Sequence, residues 1–166
     1  MLININSAKR SGSMNESCLT SNSSELYEID FYEWTIEQAT FLREEKWNCL
    51  DVPHLLEEIE SLGKQERREL KNRLGVLLGH LLKWQFQPEA RSKSWVATIR
   101  EQRSQILELL EDSPSLQPYL IEATESAYQK GLNLAVKETP LDYENFPLEC
   151  PYSLQQALDP KFFPEQ

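Results

Sequence analysis

Glu58, His80 and Arg103 are the residues in this sequence whose side chains suit proton transfer and anion binding. Each falls on a face that helical spacing assigns to the core. Glu58 lies among Leu55, Ile59 and Leu62, and His80 among Val76, Leu77, Leu81 and Trp84. Arg103 comes four residues after Ile99 and four before Leu107. A charge is tolerated inside a helical core only when paired and hydrogen-bonded. The three are therefore expected to meet, the carboxylate accepting from the guanidinium and the imidazole. The plainer use of such a cluster is a buried network that fixes helix register. The chemical use is a small polar pocket in which His80 moves a proton and Arg103 holds an anion. Lys83 and Trp84 stand one turn on, at its mouth, and Trp95 joins them as a candidate binding residue.

A metal centre is the other chemistry to test. His54, Glu57 and Glu58 stand at i, i+3 and i+4 and converge on one helix face. A di-metal carboxylate bundle wants Glu-x-x-His twice, with further glutamates from other helices. Here the order is His-x-x-Glu, it occurs once, and the chain has two histidines in total. No metal or other cofactor is expected. No Gly-rich phosphate loop, serine elbow or catalytic cysteine context is present.

The element that must position these residues is the stretch from Asp51 to Pro88. Asp51 precedes Val52-Pro53, a helix-start signal, and Pro88 disfavours helix at the residue before it. The stripe Leu55, Ile59, Leu62, Leu70, Leu74, Leu77, Leu81 and Trp84 runs between them. Ser61-Leu62-Gly63 reads equally as a stop with a new start or as continuous helix. Gly75 and Gly79, four apart, allow another helix to approach closely. Upstream, Thr35 with Gln38 makes a capping box, Trp34 preceding it as a staple, for a helix from Ile36 to about Lys46 that turns Ala39 and Leu42 inward. Downstream, one helix is expected from about Trp95 to Leu110. Another follows the DSPS loop and runs to about Glu138, with small residues at Ala123, Ala127 and Gly131. Ser153 with Gln156 predicts a short helix to about Leu158, and Phe162 and Phe163 pack back on the bundle. Residues 1–25, rich in Ser and Asn, read as a disordered tail, and residues 26–166 as one helical domain with an extended C-terminal wrap. The fold class is all-α: an up-and-down bundle of about four main helices.

Composition narrows the function classes. The chain has 166 residues and a net charge of −10. Residues 64–103 hold ten Lys or Arg against four Glu, while the remainder holds seven basic against 23 acidic residues. A basic segment can mark a nucleic-acid surface. The overall charge repels a polyanion, so the segment is read as facing the acidic part of the chain or of a second copy. No apolar run is long enough for a bilayer, and no signal peptide is expected at the start. Three widely spaced cysteines argue against a disulfide framework, so free thiols and a cytoplasmic setting are expected.

EEIESLG at 57–63, HLLKW at 80–84 with QP at 87–88, SWVATIREQR at 94–103, PSL at 114–116 and ECPYSL at 149–154 form an ordered series. That series resembles the bacterial, mainly cyanobacterial, family catalogued as domain of unknown function 29, over about residues 27–164. The resemblance implies an all-helical, cytoplasmic bacterial protein and no established activity. Glu58, His80, Lys83, Trp84, Trp95 and Arg103 fall on its motifs, and His54 does not. The expected function is a protein-binding or regulatory module, engaging another protein or a second copy. The alternative is a small enzyme that uses Glu58, His80 and Arg103 on an anionic substrate.

Overall fold

Short polar caps and prolines set most helix boundaries in the computed structural model, which describes residues 20–165. Six α-helices follow one another: α1 (Thr20–Ile29), α2 (Phe31–Arg43), α3 (Val52–Phe86), α4 (Lys93–Asp112), α5 (Gln117–Glu138) and α6 (Leu154–Leu158). The fold is all-α, with no strand among the described residues. The chain groups into two compact units, Met1–Glu60 and Ser61–Gln166.

In the first unit, α1 begins at Thr20, ahead of the start near Tyr27 that composition suggested. Residues 1–19 of the expected tail lie outside the described residues. Asp30 caps α2 by accepting from the Glu33 amide at 3.0 Å. The helix therefore opens at Phe31, five residues before Ile36, where the Thr35–Gln38 box was expected to start it. Trp34 becomes an interior residue of that helix, 2% exposed. At the other end Glu45 adopts φ 58°, and the Lys46 amide donates to the Phe41 carbonyl. This is a Schellman closure built without glycine, which is why the sequence carries no stop signal there. Leu42, expected to turn inward, is exposed.

The second unit holds the apolar core. Leu70, Leu74, Leu77, Leu78, Leu81 and Leu82 from α3 are buried with Ile99 and Ile106 from α4. Leu120, Ala127, Tyr128, Leu132 and Ala135 of α5 join it, as do Leu116 and, from the C-terminal segment, Phe146, Tyr152 and Ala157. Of the expected stripe, Leu70, Leu74, Leu77 and Leu81 lie in this core, whereas Leu62 and, on α4, Leu107 are exposed. Helix α3 is unbroken through Gly63, where a methyl group would meet nothing within 4 Å. Gly75, Gly79 and Gly131 set the close α3–α5 approach: a Cβ on Gly79 would stand 2.8 Å from the Gly131 carbonyl oxygen. Ser92 caps α4 through the Trp95 amide, and the Ser153–Gln156 box opens α6 as expected. Phe162 and Phe163 pack back onto the core.

Candidate functional site

The three polar residues expected to share one site each have a separate partner. Glu58, in the first unit, accepts from the Tyr27 hydroxyl at 2.6 Å. That bond, with burial behind it, pushes the Tyr27 hydroxyl up to about 12. Ile59, expected beside Glu58 in the core, is 65% exposed. Arg103 is buried in the second unit, as its spacing predicted. Its Nε donates to the Ala157 carbonyl at 2.7 Å and its Nη2 to the Phe162 carbonyl at 2.7 Å. Its guanidinium also lies 5.4 Å from the Phe163 ring centroid. Burial lowers the Arg103 pKa, and nearby Asp159 opposes that shift. Arg103 thus ties down the C-terminal segment rather than holding a carboxylate of α3. Two of its nitrogens go to backbone carbonyls of the C-terminal wrap, and its Nη1 is buried without a hydrogen-bond partner.

His80 is 8% exposed, and its Nδ1–H donates to the Val76 carbonyl at 3.0 Å. Burial and the neighbouring Lys83 charge hold its pKa below the usual value, against the Val76 bond and Glu138. The imidazole is therefore kept neutral at neutral pH. Lys83, one turn on, is 2% exposed and pairs with Glu138 at 2.6 Å, while its ammonium lies 4.4 Å from the Trp95 ring centroid. Lys83 and Trp95 do come together, the ring lying against an ammonium that is buried at the Lys83 end of an ion pair whose Glu138 end reaches solvent. The Lys83 bond, followed by the Lys83 charge, holds the Glu138 carboxyl below its usual range against burial.

A residue whose role the sequence did not disclose is Asp51. It was read as the α3 cap, and its carbonyl does accept the Leu55 amide. Its carboxylate, however, accepts from His54 Nδ1 at 2.7 Å, Trp34 Nε1 at 3.3 Å and Ser24 Oγ at 3.3 Å. Burial raises the Asp51 pKa, but the His54 and Trp34 bonds and the His54 charge outweigh it and leave the carboxyl below normal. Tyr27 stacks on the His54 ring at 4.0 Å, so α1 closes over this cluster. Two of the donors stand 17 and 27 residues upstream, beyond the reach of any local spacing. With His54 turned to Asp51 and Glu58 to Tyr27, two members of the His54–Glu57–Glu58 trio are already engaged in protein bonds. Cys150 is a free, half-buried thiol whose pKa burial raises.

Two surfaces remain open. Among the described residues, ten of the fourteen exposed large hydrophobic side chains fall between Ile29 and Leu62. Val52, Leu56 and Ile59 recur there at i, i+4 and i+7, a single helical stripe facing water. On the second unit, Trp84, Arg91, Ser92, Lys93, Val96, Ala97 and Arg100 line a groove of about 420 Å³. Of the three candidate binding residues, Trp84 alone lines it.

No helix among the described residues is long and apolar enough to cross a membrane. Neither a curated protein nor a solved structure matches the chain. The family model described as "Domain of unknown function DUF29" matches residues 26–163. That span takes in both units' described helices from within α1 onward, and the chain belongs to this family.

Proposed function

We propose that this protein is a helical binding module whose first unit docks another protein through residues 29–59. The observation that carries the reading is the concentration of exposed apolar side chains there, nine of the fourteen among the described residues. Isolated apolar side chains on a surface are ordinary, whereas a contiguous stripe marks an interaction face. Val52, Leu56 and Ile59 form such a stripe, and burying three aliphatic side chains yields about 1.5–3 kcal/mol apiece. The engagement of Glu58 with Tyr27, His80 with Val76 and Arg103 with two carbonyls speaks against their use as a joint catalytic site.

The test is co-purification from the host with the full chain as bait, alongside a Leu56→Glu, Ile59→Glu variant. Both substitutions sit on exposed positions and are expected to leave the circular-dichroism spectrum unchanged. A partner, or a second copy seen by sedimentation, is expected with the parent and lost with the variant. Equal recovery with both would refute the docking face.

A further inference from the structure

The groove beside Trp84 uses residues other than the first-unit stripe, and its chemistry is different. Trp84 comes from the last turn of α3, Arg91 and Ser92 from the loop that follows, and Lys93, Val96, Ala97 and Arg100 from α4. The α4 residues recur at i, i+3, i+4 and i+7, so they share one face. Three of the seven lining residues are cations and none is a carboxylate. In a chain of net charge −10, that is a marked local reversal. No carboxylate lies within salt-bridge distance of Arg91, Lys93 or Arg100 among the described residues. The Lys83 ammonium nearby in sequence has Glu138; these three cations have no such partner.

Arg91 is also held in place. Its Nε donates to the Trp84 carbonyl at 2.8 Å, and its guanidinium lies 4.8 Å from the Trp84 ring centroid. One nitrogen is thus spent on anchoring, and the terminal nitrogens stay available to a ligand. A guanidinium fixed this way loses little freedom on binding an anion. Between the cations, Trp84, Val96 and Ala97 supply an apolar wall. The Ser92 hydroxyl is already used, accepting from the Trp95 amide.

We infer that this groove is a docking site for an acidic peptide segment that carries an apolar residue between two carboxylates. Charge complementarity selects an anionic occupant, and the apolar wall selects one with an apolar side chain. Lys93 and Arg100 are seven residues apart on one helix, a rise of about 10 Å. Side chains of an extended peptide alternate between its two faces, so residues at i, i+2 and i+4 share the face turned to the groove and span about 13 Å, within reach of the long Lys93 and Arg100 side chains. The matching pattern is therefore an acidic residue, any residue, an apolar residue, any residue, and a second acidic residue. A nucleic acid fits less well. Three cations neutralise few phosphates, and the chain's net charge opposes a long polyanion.

The experiment titrates the full chain into a fluorescein-labelled peptide with a Glu-Ser-Leu-Ser-Glu core and follows anisotropy. The comparison probes are the same peptide with Gln for both Glu, the peptide with Ser for Leu, and a labelled single-stranded oligonucleotide. Binding of the acidic peptide is expected, with losses for both altered peptides. Arg91→Gln and Arg100→Gln lie on exposed side chains, and each is expected to weaken the acidic peptide by about tenfold. Arg67→Gln, outside the groove, is expected to leave it unchanged. Equal binding by the Arg91→Gln, Arg100→Gln double variant would overturn the site. So would tighter, groove-dependent binding of the oligonucleotide, or no peptide binding at about 1 mM chain. The Leu56→Glu, Ile59→Glu variant keeps the groove, so loss of the first-unit partner and loss of peptide binding are separate results.

Discussion

Gly79 and Gly131 bring α3 and α5 into backbone contact: a Cβ on Gly131 would stand 2.7 Å from the Gly79 nitrogen and 2.7 Å from the Gly75 oxygen. The obstacles are main-chain atoms, which a rotamer change does not move. Gly131→Ala must push the two helices apart along a core that Leu78 and Ala127 otherwise fill. A loss on the order of 1–3 kcal/mol is expected from such overpacking. Gly63 is the internal control. It lies inside α3 with open space around its Cβ position, so Gly63→Ala should gain about 0.8–1 kcal/mol of helix propensity. Urea denaturation of both variants checks the pair. A destabilised Gly63→Ala would mean that α3 is not continuous there.

The three core-facing polar residues give the second prediction. Arg103→Met removes both bonds to the C-terminal segment and leaves the Ala157 and Phe162 carbonyls without a donor. Hydrogen bonds to a charged group contribute about 1.5–3 kcal/mol each, so a loss of roughly 3 kcal/mol is expected. Limited proteolysis should cut first after residue 150, the segment that Arg103 retains. Because Glu58 answers to Tyr27 instead, Glu58→Gln and Arg103→Met should add within about 0.5 kcal/mol. A coupling of 1 kcal/mol or more, about the size of one shared hydrogen bond, would show instead that the two residues share a site.

What local spacing could and could not reveal is visible in these same residues. Arg103, Leu70 to Leu81 and the Gly75/Gly79 pair were legible because α3 and α4 bury one face along a regular period. The Ser153–Gln156 box was legible because both of its bonds lie within four residues. Partners were not. Spacing places Arg103 in the core, but nothing local says that carbonyls 54 and 59 residues away will receive it. Ile59 and Leu62 have the period of a core stripe and yet are exposed, because period reports a face and not what covers it. Asp51 was hidden for a third reason. An aspartate before a helix reads as a cap, and that reading conceals its bonds to Trp34 and Ser24.

His80 predicts a pH dependence. Its folded pKa lies below 6.5, chiefly because burial penalises the imidazolium, with Lys83 adding and Val76 and Glu138 opposing. The folded state therefore binds fewer protons at this site than the unfolded chain does. Its contribution to stability is complete above 6.5 and is lost as pH falls through the lower, folded value. Comparing chemical denaturation of the parent and His80→Gln across that window isolates the effect. The parent should lose more stability than the variant on acidification. Parallel profiles would show that His80 is not desolvated.

Lys83 and Glu138 make an ion pair whose two ends differ in solvent access, and the difference sets the last prediction. The Lys83 side chain is 3% exposed and the Glu138 side chain 42%. Removing Lys83 leaves a carboxylate that water can reach, so Lys83→Met should cost about 1 kcal/mol or less, near the value of an exposed pair. Removing Glu138 leaves an ammonium in the core with the Trp95 ring as its remaining electrostatic contact. A cation–π contact contributes about 2 kcal/mol at best when desolvated, which does not offset an unpaired buried charge. Glu138→Leu should therefore cost about 2–3 kcal/mol, the lower side of the range for broken buried pairs, because the lost partner was itself half in water. The double variant Lys83→Met, Glu138→Leu should recover most of that loss, since no buried charge then remains. Equal single costs, or no recovery in the double variant, would mean that Lys83 reaches solvent and that its burial against Trp95 does not describe the folded protein.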